Sequence, residues 1–523
     1  MTLVLEAPQD AERVVVPPLQ RVERFPMRLV VLAMGGSAAL RARFITTPLS
    51  ADEGGYLAVA RAWASGKALY TEAWVDRPQG LLILFRFWDR ITGGSAEAIR
   101  VMAILFGCLA VAAVAYTVFA IAGQQAAGIA SILVAVASSN ARIEGFIANG
   151  ELLAGAVAAA GVAAACAYLF RGRGRSWLFI SGLLAGCAFS IKQSGFDGFL
   201  AVTVCVVAGG LTGERTWREA LRECALCIAG LVTVLAALLI HGIVSGFSSW
   251  WYAVAGYRIG GLNASNGEWR RFGVTGLIAA PTIVPLLVAA IVGLVVWLPR
   301  DRRITRSKVL VPAWVCFASL AFITGGLFHR HYWVTLTLPL AAAASVGIAG
   351  CRRSRINSRM LIAVTCLVAL PSLISTSGVI VVDRSEAALV AHDDPRLVVN
   401  EQVGKWYREH RTPDSTLYAL CASAALYAYA DAIPPYPYLW LDGVQHGKGA
   451  QEQLVDLFSG DHPPTFVVEF QRASLCNPTG RVAALLYQRY ESAANVAGAR
   501  ILVLRDRAAS ESLSGRELFS NVT

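Results

Sequence analysis

Two adjacent carboxylates, Asp52 and Glu53, follow directly after the first long apolar segment of the chain. Acidic side chains are costly to hold near the hydrocarbon edge of a membrane, so acids at this place indicate a functional site. In a polar cleft they could act as a general base or bind a cation. The alternative is a solvated loop start. Apolar residues that recur at helical spacing predict an amphipathic helix lying on the membrane at Gly55–Ser65, which would hold both acids at its surface.

Two cations lie at predicted membrane edges and suit a phosphate. Pro78 restricts the backbone of Arg77 to an extended form, and a fixed guanidinium beside the membrane matches phosphate geometry. The alternative is a surface turn between Asp76 and Arg77. Lys192 has no acid within four residues on either side. Such an edge lysine is a functional candidate, and the alternative is a lysine that extends to the interface.

Three further gaps between apolar segments contain residues that fit the same site or flank it. In His329–Trp333, residues Arg330, His331 and Tyr332 could bind phosphate or acceptor, or could belong to an aromatic belt with interfacial cations. A second gap contains Arg142, Glu144, Asn149 and Glu151. The third gap, 246–273, is rich in Trp and Tyr, and we interpret it as an aromatic belt rather than a sugar-stacking surface.

The composition is that of a membrane protein, so membrane-spanning helices must position these residues. Of 523 residues, 56% are hydrophobic and 15% are charged, and the mean hydropathy is +0.54. Soluble domains carry about 25% charged residues, so a soluble cytosolic enzyme and a disordered chain are both excluded. The apolar residues fall in blocks long enough to span a bilayer. Eleven spans are predicted, at 27–45, 98–122, 126–140, 150–170, 176–191, 195–211, 225–245, 274–298, 309–326, 332–350 and 360–381.

The distribution of charge predicts the orientation of these spans. The gaps after 170, 298 and 350 together hold twelve basic residues and one acid, which equals the net charge of +11 for the whole chain. Basic loops favour the cytosolic side. We therefore expect a plasma-membrane protein with a cytosolic N-terminal tail at 1–26 and an extracytoplasmic C-terminus. The basic excess reports topology and indicates no nucleic-acid partner.

The predicted topology divides the chain after the tail into two domains. A membrane domain is predicted at 27–381, with a first outer loop at 46–97. Residues 382–523 lose the long apolar runs, and strand-like segments there alternate with helical ones, which predicts a small extracytoplasmic α/β domain. The strand-like segments are Thr416–Cys421, Thr465–Phe470 and Ala499–Arg505, and the helical ones include Leu397–Arg411 and Gln451–Ser459. Cys421 and Cys476 are its two cysteines, and an oxidising compartment favours a disulfide between them.

The stretch Asp52–Arg100 resembles the first outer loop and second span of the GT-C membrane glycosyltransferases. It is most similar to the branch that contains protein O-mannosyltransferases and lipid A aminoarabinose transferases. The matching motifs are Asp52-Glu53-Gly54-Gly55-Tyr56, Gly66-Lys67-Ala68-Leu69-Tyr70, Asp76-Arg77-Pro78 and an arginine near the start of a span, Arg100. The chain departs from the family where Arg77 replaces a lysine and where Gln79 stands in place of a frequent second proline.

The resemblance implies an enzyme that transfers a sugar from a polyprenyl-phosphate donor to a lipid, glycan or protein acceptor on the outer face, with inversion. It implies that Asp52, with Glu53, is the base. Arg77, Lys192, Arg330 and His331 are then expected to hold the lipid phosphate. The residues expected to contact substrate are Tyr56, Tyr70, Glu151 and Tyr332. The paired acids permit a divalent metal without requiring one, and we assign no metal ligands.

Two other functions fit a chain with these spans. A transporter or flippase of lipid-linked saccharides would need polar residues in the middle of its spans, whereas the candidates here cluster at the ends. A non-catalytic envelope-assembly protein with the same fold would tolerate loss of Asp52.

Overall fold

The structure is a computed structural model that describes residues 23–260, 266–297, 305–350 and 357–505. Nearly all of the predicted cytosolic tail at 1–26 lies outside the described residues. So do most of the basic gaps around Arg302 and Arg353 and the end of the predicted 382–523 domain, from residue 506 onward.

Helices form the chain up to residue 380, and each of the eleven predicted spans coincides with one of them. Within the described ranges, seven helices are long and apolar enough to cross a membrane, and three further apolar helices are shorter. The chain is therefore a multi-pass membrane protein, and the number of crossings stays a prediction. The helices are α1 (Met27–Ala42), α2 (Ala51–Ala64), α3 (Gln79–Thr92), α4 (Ala96–Ala122), α5 (Gln124–Ala137), α6 (Gly150–Arg171), α7 (Ser176–Ile191), α8 (Asp197–Leu211), α9 (Trp217–Val244), α10 (Phe247–Trp251), α11 (Tyr257–Gly260), α12 (Asn266–Trp297), α13 (Arg306–Thr324), α14 (Val334–Gly350) and α15 (Ser358–Ile380).

Polar contacts join the basic gaps at one end of this helix bundle. Arg171, at the end of α6, donates to the carbonyl of Phe119 near the end of α4. Arg306, at the start of α13, donates to the Leu169 carbonyl at 2.5 Å and lies 3.6 Å from the Glu214 carboxylate. These gaps therefore share one end, as the charge pattern predicts. That this end faces the cytosol follows from the positive-inside rule and stays a prediction.

The C-terminal part is an α/β unit built on a four-stranded sheet with the order β1-β2-β4-β3. Strand β1 is parallel to β2, and β4 is antiparallel to both β2 and β3. The edge strand β3 was not predicted, because its polar residues give only a weak hydrophobic pattern. A disulfide joins Cys421, directly after β1, to Cys476. The elements are α16 (Arg384–His392), α17 (Arg396–His410), β1 (Leu417–Leu420), α18 (Ala424–Ala430), α19 (Leu441–His446), α20 (Ala450–Ser459), β2 (Phe466–Glu469), α21 (Arg481–Arg489), β3 (Tyr490–Val496) and β4 (Ala499–Leu504).

The first outer loop folds into α2 and α3. Helix α2 begins with a capping box, in which the Ser50 hydroxyl accepts from the Glu53 amide and the Glu53 carboxylate accepts from the Ser50 amide. The predicted helix at Gly55–Ser65 is thus present, and its position on the membrane surface stays a prediction. Nearly all of α2 is buried, because α18 of the C-terminal unit packs against it.

Two glycines allow this close packing. A Cβ atom on Gly54 would lie 2.5 Å from the Ala425 Cα atom in α18, and one on Gly55 would lie 2.4 Å from the Trp440 ring. A backbone atom cannot move aside as a flexible side chain can. The glycine pair therefore fixes how the C-terminal unit docks on the first outer loop.

We expect Gly54→Ala to lower the free energy of unfolding by about 1–3 kcal/mol, the usual cost of overpacking a close contact. Thermal unfolding of the purified protein in detergent measures this change. The control is Gly35→Ala in α1, where an added Cβ atom meets nothing within 4 Å. Equal unfolding midpoints for both variants would contradict the close contact.

Candidate active site

A cavity of about 470 Å³ lies where the first outer loop, the segment before α14 and the C-terminal unit meet. We call it the central cavity. The helix bundle and its loops contribute all four arginines of its lining, whereas the C-terminal unit contributes Trp440, His392 and three aspartates. The charged lining consists of Arg77, Arg258, Arg271 and Arg330 with Asp52, Asp76, Glu144, Asp393, Asp394 and Asp442.

Asp52 lies in the first turn of α2 and lines the central cavity with its side chain 20% exposed. Its Oδ1 atom accepts a hydrogen bond from the Trp440 indole nitrogen at 3.2 Å. Its Oδ2 atom lies 3.7 Å from His331 Nε2. One carboxylate oxygen is therefore engaged by the protein, and the other remains near a histidine and the cavity.

Glu144 connects two histidines beside Asp52. It lies 2.7 Å from His331 Nδ1 and 2.6 Å from His392 Nδ1. Burial raises the pKa of Glu144, but the hydrogen bonds and charges of the two histidines outweigh burial, so that its pKa lies well below the ordinary value. The backbone of Glu144 has a φ of 56°, a costly conformation for a residue other than glycine. This position is thus built to hold a charged carboxylate between α14 and α16.

Asp76 binds two arginines at another wall of the cavity. Its Oδ2 atom lies 2.8 Å from Arg77 Nη1 and also pairs with Arg258 Nη2. Burial raises the pKa of Asp76, but the charges of Arg258 and Arg77 outweigh burial and hold its pKa below the ordinary value. Asp76, Arg77 and Arg258 together carry one negative and two positive charges. An anionic ligand could neutralise the excess positive charge. The suggested surface turn between Asp76 and Arg77 is wrong, because Arg77 is only 6% exposed.

The other cations of the cavity are held by backbone carbonyls. Arg330 donates to the carbonyls of Val390 and Ala391 in α16, both at 2.8 Å, and Arg271 donates to the Leu327 carbonyl at 2.9 Å. His329 lies beside them. Burial lowers the pKa of His329 to about 3, with a smaller contribution from the charges of His331 and Arg271. His329 is therefore neutral at neutral pH.

Glu53 does not line the central cavity. Consecutive residues of an α-helix are about 100° apart around its axis, so Glu53 points inward where Asp52 points to the cavity. Its carboxylate lies 3.0 Å from Arg100 Nη1 and accepts from the Ala148 amide at 2.9 Å. Both charged side chains are at most 1% exposed. Glu53 therefore contacts Arg100 and backbone amides and does not face the cavity that Asp52 lines, which disfavours the expected catalytic role.

Lys192 and Glu151 lie behind the cavity lining. They form an ion pair with each other, and the Lys192 ammonium group lies 4.2 Å from the centre of the Tyr332 ring. Glu151 lies 3.8 Å from His331 Nε2. The acid that accompanies Lys192 is 41 residues away, which is why the sequence shows no acid beside it.

The three candidate tyrosines differ in position. Tyr56 and Tyr332 line the central cavity. Tyr70 does not; its hydroxyl donates to the Arg77 carbonyl at 3.1 Å and to the Gln79 side chain at 3.3 Å. Tyr70 thus supports the backbone on both sides of Pro78, and through it the position of Arg77.

Several cavity residues were not predicted. Arg258 and Tyr257 belong to the segment that we interpret as an aromatic belt, while Trp251 and Trp269 of the same segment are about half exposed, as a belt requires. His392 and Trp440 belong to the C-terminal unit, where no sequence motif marks them. Among the described residues, no group of three or more His, Cys, Asp or Glu side chains is arranged to hold a metal ion, so we derive no step through a metal.

Solved structures resemble most of the chain. ArnT from Cupriavidus metallidurans bound to undecaprenyl phosphate superposes with a TM-score of 0.61 over 91% of this chain and 97% of that chain, at 12% identity. The chain has the GT-C fold. AglB, the oligosaccharyltransferase of Archaeoglobus fulgidus, in complex with an inhibitory peptide and a dolichol-phosphate, gives a TM-score of 0.57 over 84% of this chain and 69% of that chain, at 12% identity.

The GT-C fold is recognised by structure and not by sequence identity. No protein-family sequence profile matches the chain, and the comparison with curated protein sequences found no match. The resemblance drawn from the motifs between Asp52 and Arg100 is confirmed at the level of the fold.

Proposed function

We propose that the chain is a membrane glycosyltransferase that moves a sugar from a polyprenyl-phosphate donor to a hydroxyl acceptor on the outer face of the membrane. The observation that carries this proposal is the central cavity itself. It brings a carboxylate, Asp52, and the paired arginines Arg77 and Arg258 to one space between the helix bundle and the C-terminal unit. The undecaprenyl phosphate of ArnT and the dolichol-phosphate of AglB support a lipid phosphate as the ligand.

The proposed reaction is one displacement at the anomeric carbon of the donor sugar. The acceptor oxygen forms a bond to C1 while the bond from C1 to the phosphate oxygen breaks with both electrons. Asp52 receives the acceptor proton. The released lipid phosphate carries one more negative charge, which Arg77 and Arg258 neutralise. Since the bonding pair leaves with the phosphate, attack from the opposite face inverts the configuration at C1.

The cations that we propose for the phosphate differ from those expected from sequence. Arg77 stays the primary candidate, because it is buried in the cavity wall and its Nε atom has no hydrogen-bond partner in the described structure. Arg258 is the second candidate, because it forms an ion pair with the same carboxylate, that of Asp76. His331 is better placed to orient Asp52, and Arg330 to hold α16 against the cavity. Lys192, paired with Glu151, supports the wall behind Tyr332.

The domain boundaries and the orientation belong to this proposal. We place the helix bundle at 27–381 and the α/β unit from 382, on the outer side. The cavity then lies at the outer membrane surface, where a lipid-borne sugar would present its phosphate. A lipid, glycan or protein acceptor would approach from the side of the α/β unit, and anionic membrane lipids would contact the basic gaps at the other end.

The test is transfer of a labelled sugar by membranes that contain the full chain. A panel of donors with mannose, glucose, arabinofuranose and aminoarabinose on polyprenyl phosphate should include one that is consumed, with release of polyprenyl phosphate. Membranes without the chain provide the background. No consumption of any donor overturns the proposal, and movement of a lipid-linked saccharide across the bilayer without transfer would favour a transporter.

We expect Arg77→Gln to raise the donor KM by roughly 10–100-fold, which corresponds to the loss of one charge-assisted hydrogen-bonding partner of about 1.5–3 kcal/mol. Asp76 keeps Arg258 as an ion-pair partner in this variant, so the protein should stay folded, which the thermal unfolding midpoint checks. Initial rates at varied donor concentration measure the effect. Arg90→Gln in the last turn of α3, where the side chain is exposed, is the matched control. An unchanged donor KM in Arg77→Gln would refute its phosphate role.

A further inference from the structure

Trp440 brings the C-terminal unit into direct contact with Asp52. It lies just before α19 and is 388 residues from Asp52 in sequence, and its indole N–H donates to Asp52 Oδ1 at 3.2 Å. A hydrogen bond to a carboxylate restricts the rotation of the carboxylate plane. The orientation of Asp52 is therefore set in part by the C-terminal unit.

The ring of Trp440 is held in place by the first outer loop. It packs against Gly55, where any Cβ atom would meet the ring at 2.4 Å, and its centre lies 5.6 Å from that of the Tyr56 ring. Gly55 and Tyr56 belong to the same helix as Asp52. The indole is thus positioned by the helix whose carboxylate it binds.

The segment that leads to Trp440 is tied to the same loop through its backbone. Lys67 Nζ donates to the Pro434 carbonyl at 2.8 Å, and the Trp74 amide donates to the Pro437 carbonyl at 3.3 Å. These bonds do not depend on the indole nitrogen. Loss of the N–H alone should therefore leave the segment docked.

We infer that Trp440 is a positioning residue for the proposed base, so that the C-terminal unit completes the active site. The indole occupies Oδ1 of Asp52 and leaves Oδ2, which faces His331 at 3.7 Å, for the acceptor hydroxyl. This inference rests on the proposed glycosyltransferase function. It assigns the C-terminal unit a part in orienting the base, in addition to any part in acceptor binding.

The decisive variant is Trp440→Phe, which keeps an aromatic ring and removes the N–H donor. We expect kcat to fall by roughly 10–100-fold, the effect of losing one hydrogen bond to a charged group. The donor KM should stay within about threefold, because Arg77 and Arg258 are untouched. If Trp440 only stabilised the fold, the variant would have a lower unfolding midpoint. Its kcat and its donor KM would then both change, instead of kcat alone.

Trp314→Phe is a matched control. The Trp314 indole N–H also donates to a buried aspartate, Asp197, at 2.9 Å, but this pair joins α13 to α8 and does not line the central cavity. Its kcat should equal that of the wild type. If Trp440→Phe does not fold, replacement of Trp440 by 3-benzothienylalanine, in which sulfur replaces the N–H in a ring of the same shape, supplies the same test.

The outcomes separate this inference from the proposed function. An active wild type whose kcat is unchanged by loss of the Trp440 N–H overturns the inference and leaves the proposed function intact. A wild type that uses no donor overturns the proposed function. In that case, unfolding midpoints of Trp440→Phe, Asp52→Asn and the double variant still test the contact, because a real hydrogen bond makes the two effects non-additive. Additive effects would overturn the inference.

Discussion

Asp52→Asn is expected to lower the rate of sugar transfer by roughly 10²–10⁴-fold, the range for loss of a general base. The amide keeps the size of the side chain and can still face Trp440, but it cannot accept the acceptor proton. Asp52 is partly exposed in the cavity wall, so the fold should be retained. Transfer rates at saturating donor, measured in membranes with equal amounts of protein, test this expectation.

The control for this variant is Asp456→Asn, an exposed aspartate of α20 that is remote from the central cavity. It should transfer sugar at the rate of the wild type. Undiminished transfer by Asp52→Asn would refute the proposed mechanism. No transfer by the wild type with any donor would instead favour a role in envelope assembly without catalysis.

Arg100→Met is expected to destabilise the protein by about 3–5 kcal/mol, the usual cost of removing one member of a buried ion pair. Glu53 would lose its cationic partner in a site where it is fully buried, and its remaining partners are the Ser50 side chain and backbone amides. Arg100 also donates to the Pro48 carbonyl at 2.6 Å, so its loss would release the chain just before α2. Thermal unfolding in detergent measures the effect.

The double variant Glu53→Gln, Arg100→Met should recover part of this loss, because no unpaired charge is then buried. Asp89→Asn is the comparison, since the Arg61–Asp89 pair is partly exposed and an exposed pair contributes about 0–1 kcal/mol. If Arg100→Met cost no more than Asp89→Asn, the pair would not have the structural role assigned to it here.

The positions of the helices, and which of their ends lie together, could be predicted because both depend on the local composition of the sequence. Apolar runs placed each predicted span on a helix, although α9 and α12 each begin eight residues before the predicted span, and the placement of Arg171 and Arg306 indicated which ends lie together. Asp52 and Arg77 could be predicted as neighbours of one cavity because the residues around them in sequence form short motifs. These signals lie within segments of a few dozen residues.

The rest of the site depends on contacts between distant segments, which leave no local pattern. Arg258 reaches Asp76, and His392 reaches Glu144 across 248 residues. A sequence motif cannot show that Lys192 is neutralised by Glu151, nor that Glu53 points away from its neighbour towards Arg100. Such roles become visible only in the folded chain, where these distant segments are in contact.

The separation between Asp52 and Trp440 has a consequence for biogenesis. With synthesis at about 5–20 residues per second, the 388 intervening residues take roughly 20–80 s to make. If the orientation is as proposed, the first outer loop is translocated during that time, but the partner of its carboxylate has not yet been made. On the proposed function, a nascent or truncated chain that lacks the last hundred residues would contain every helix of the bundle and still be unable to consume donor.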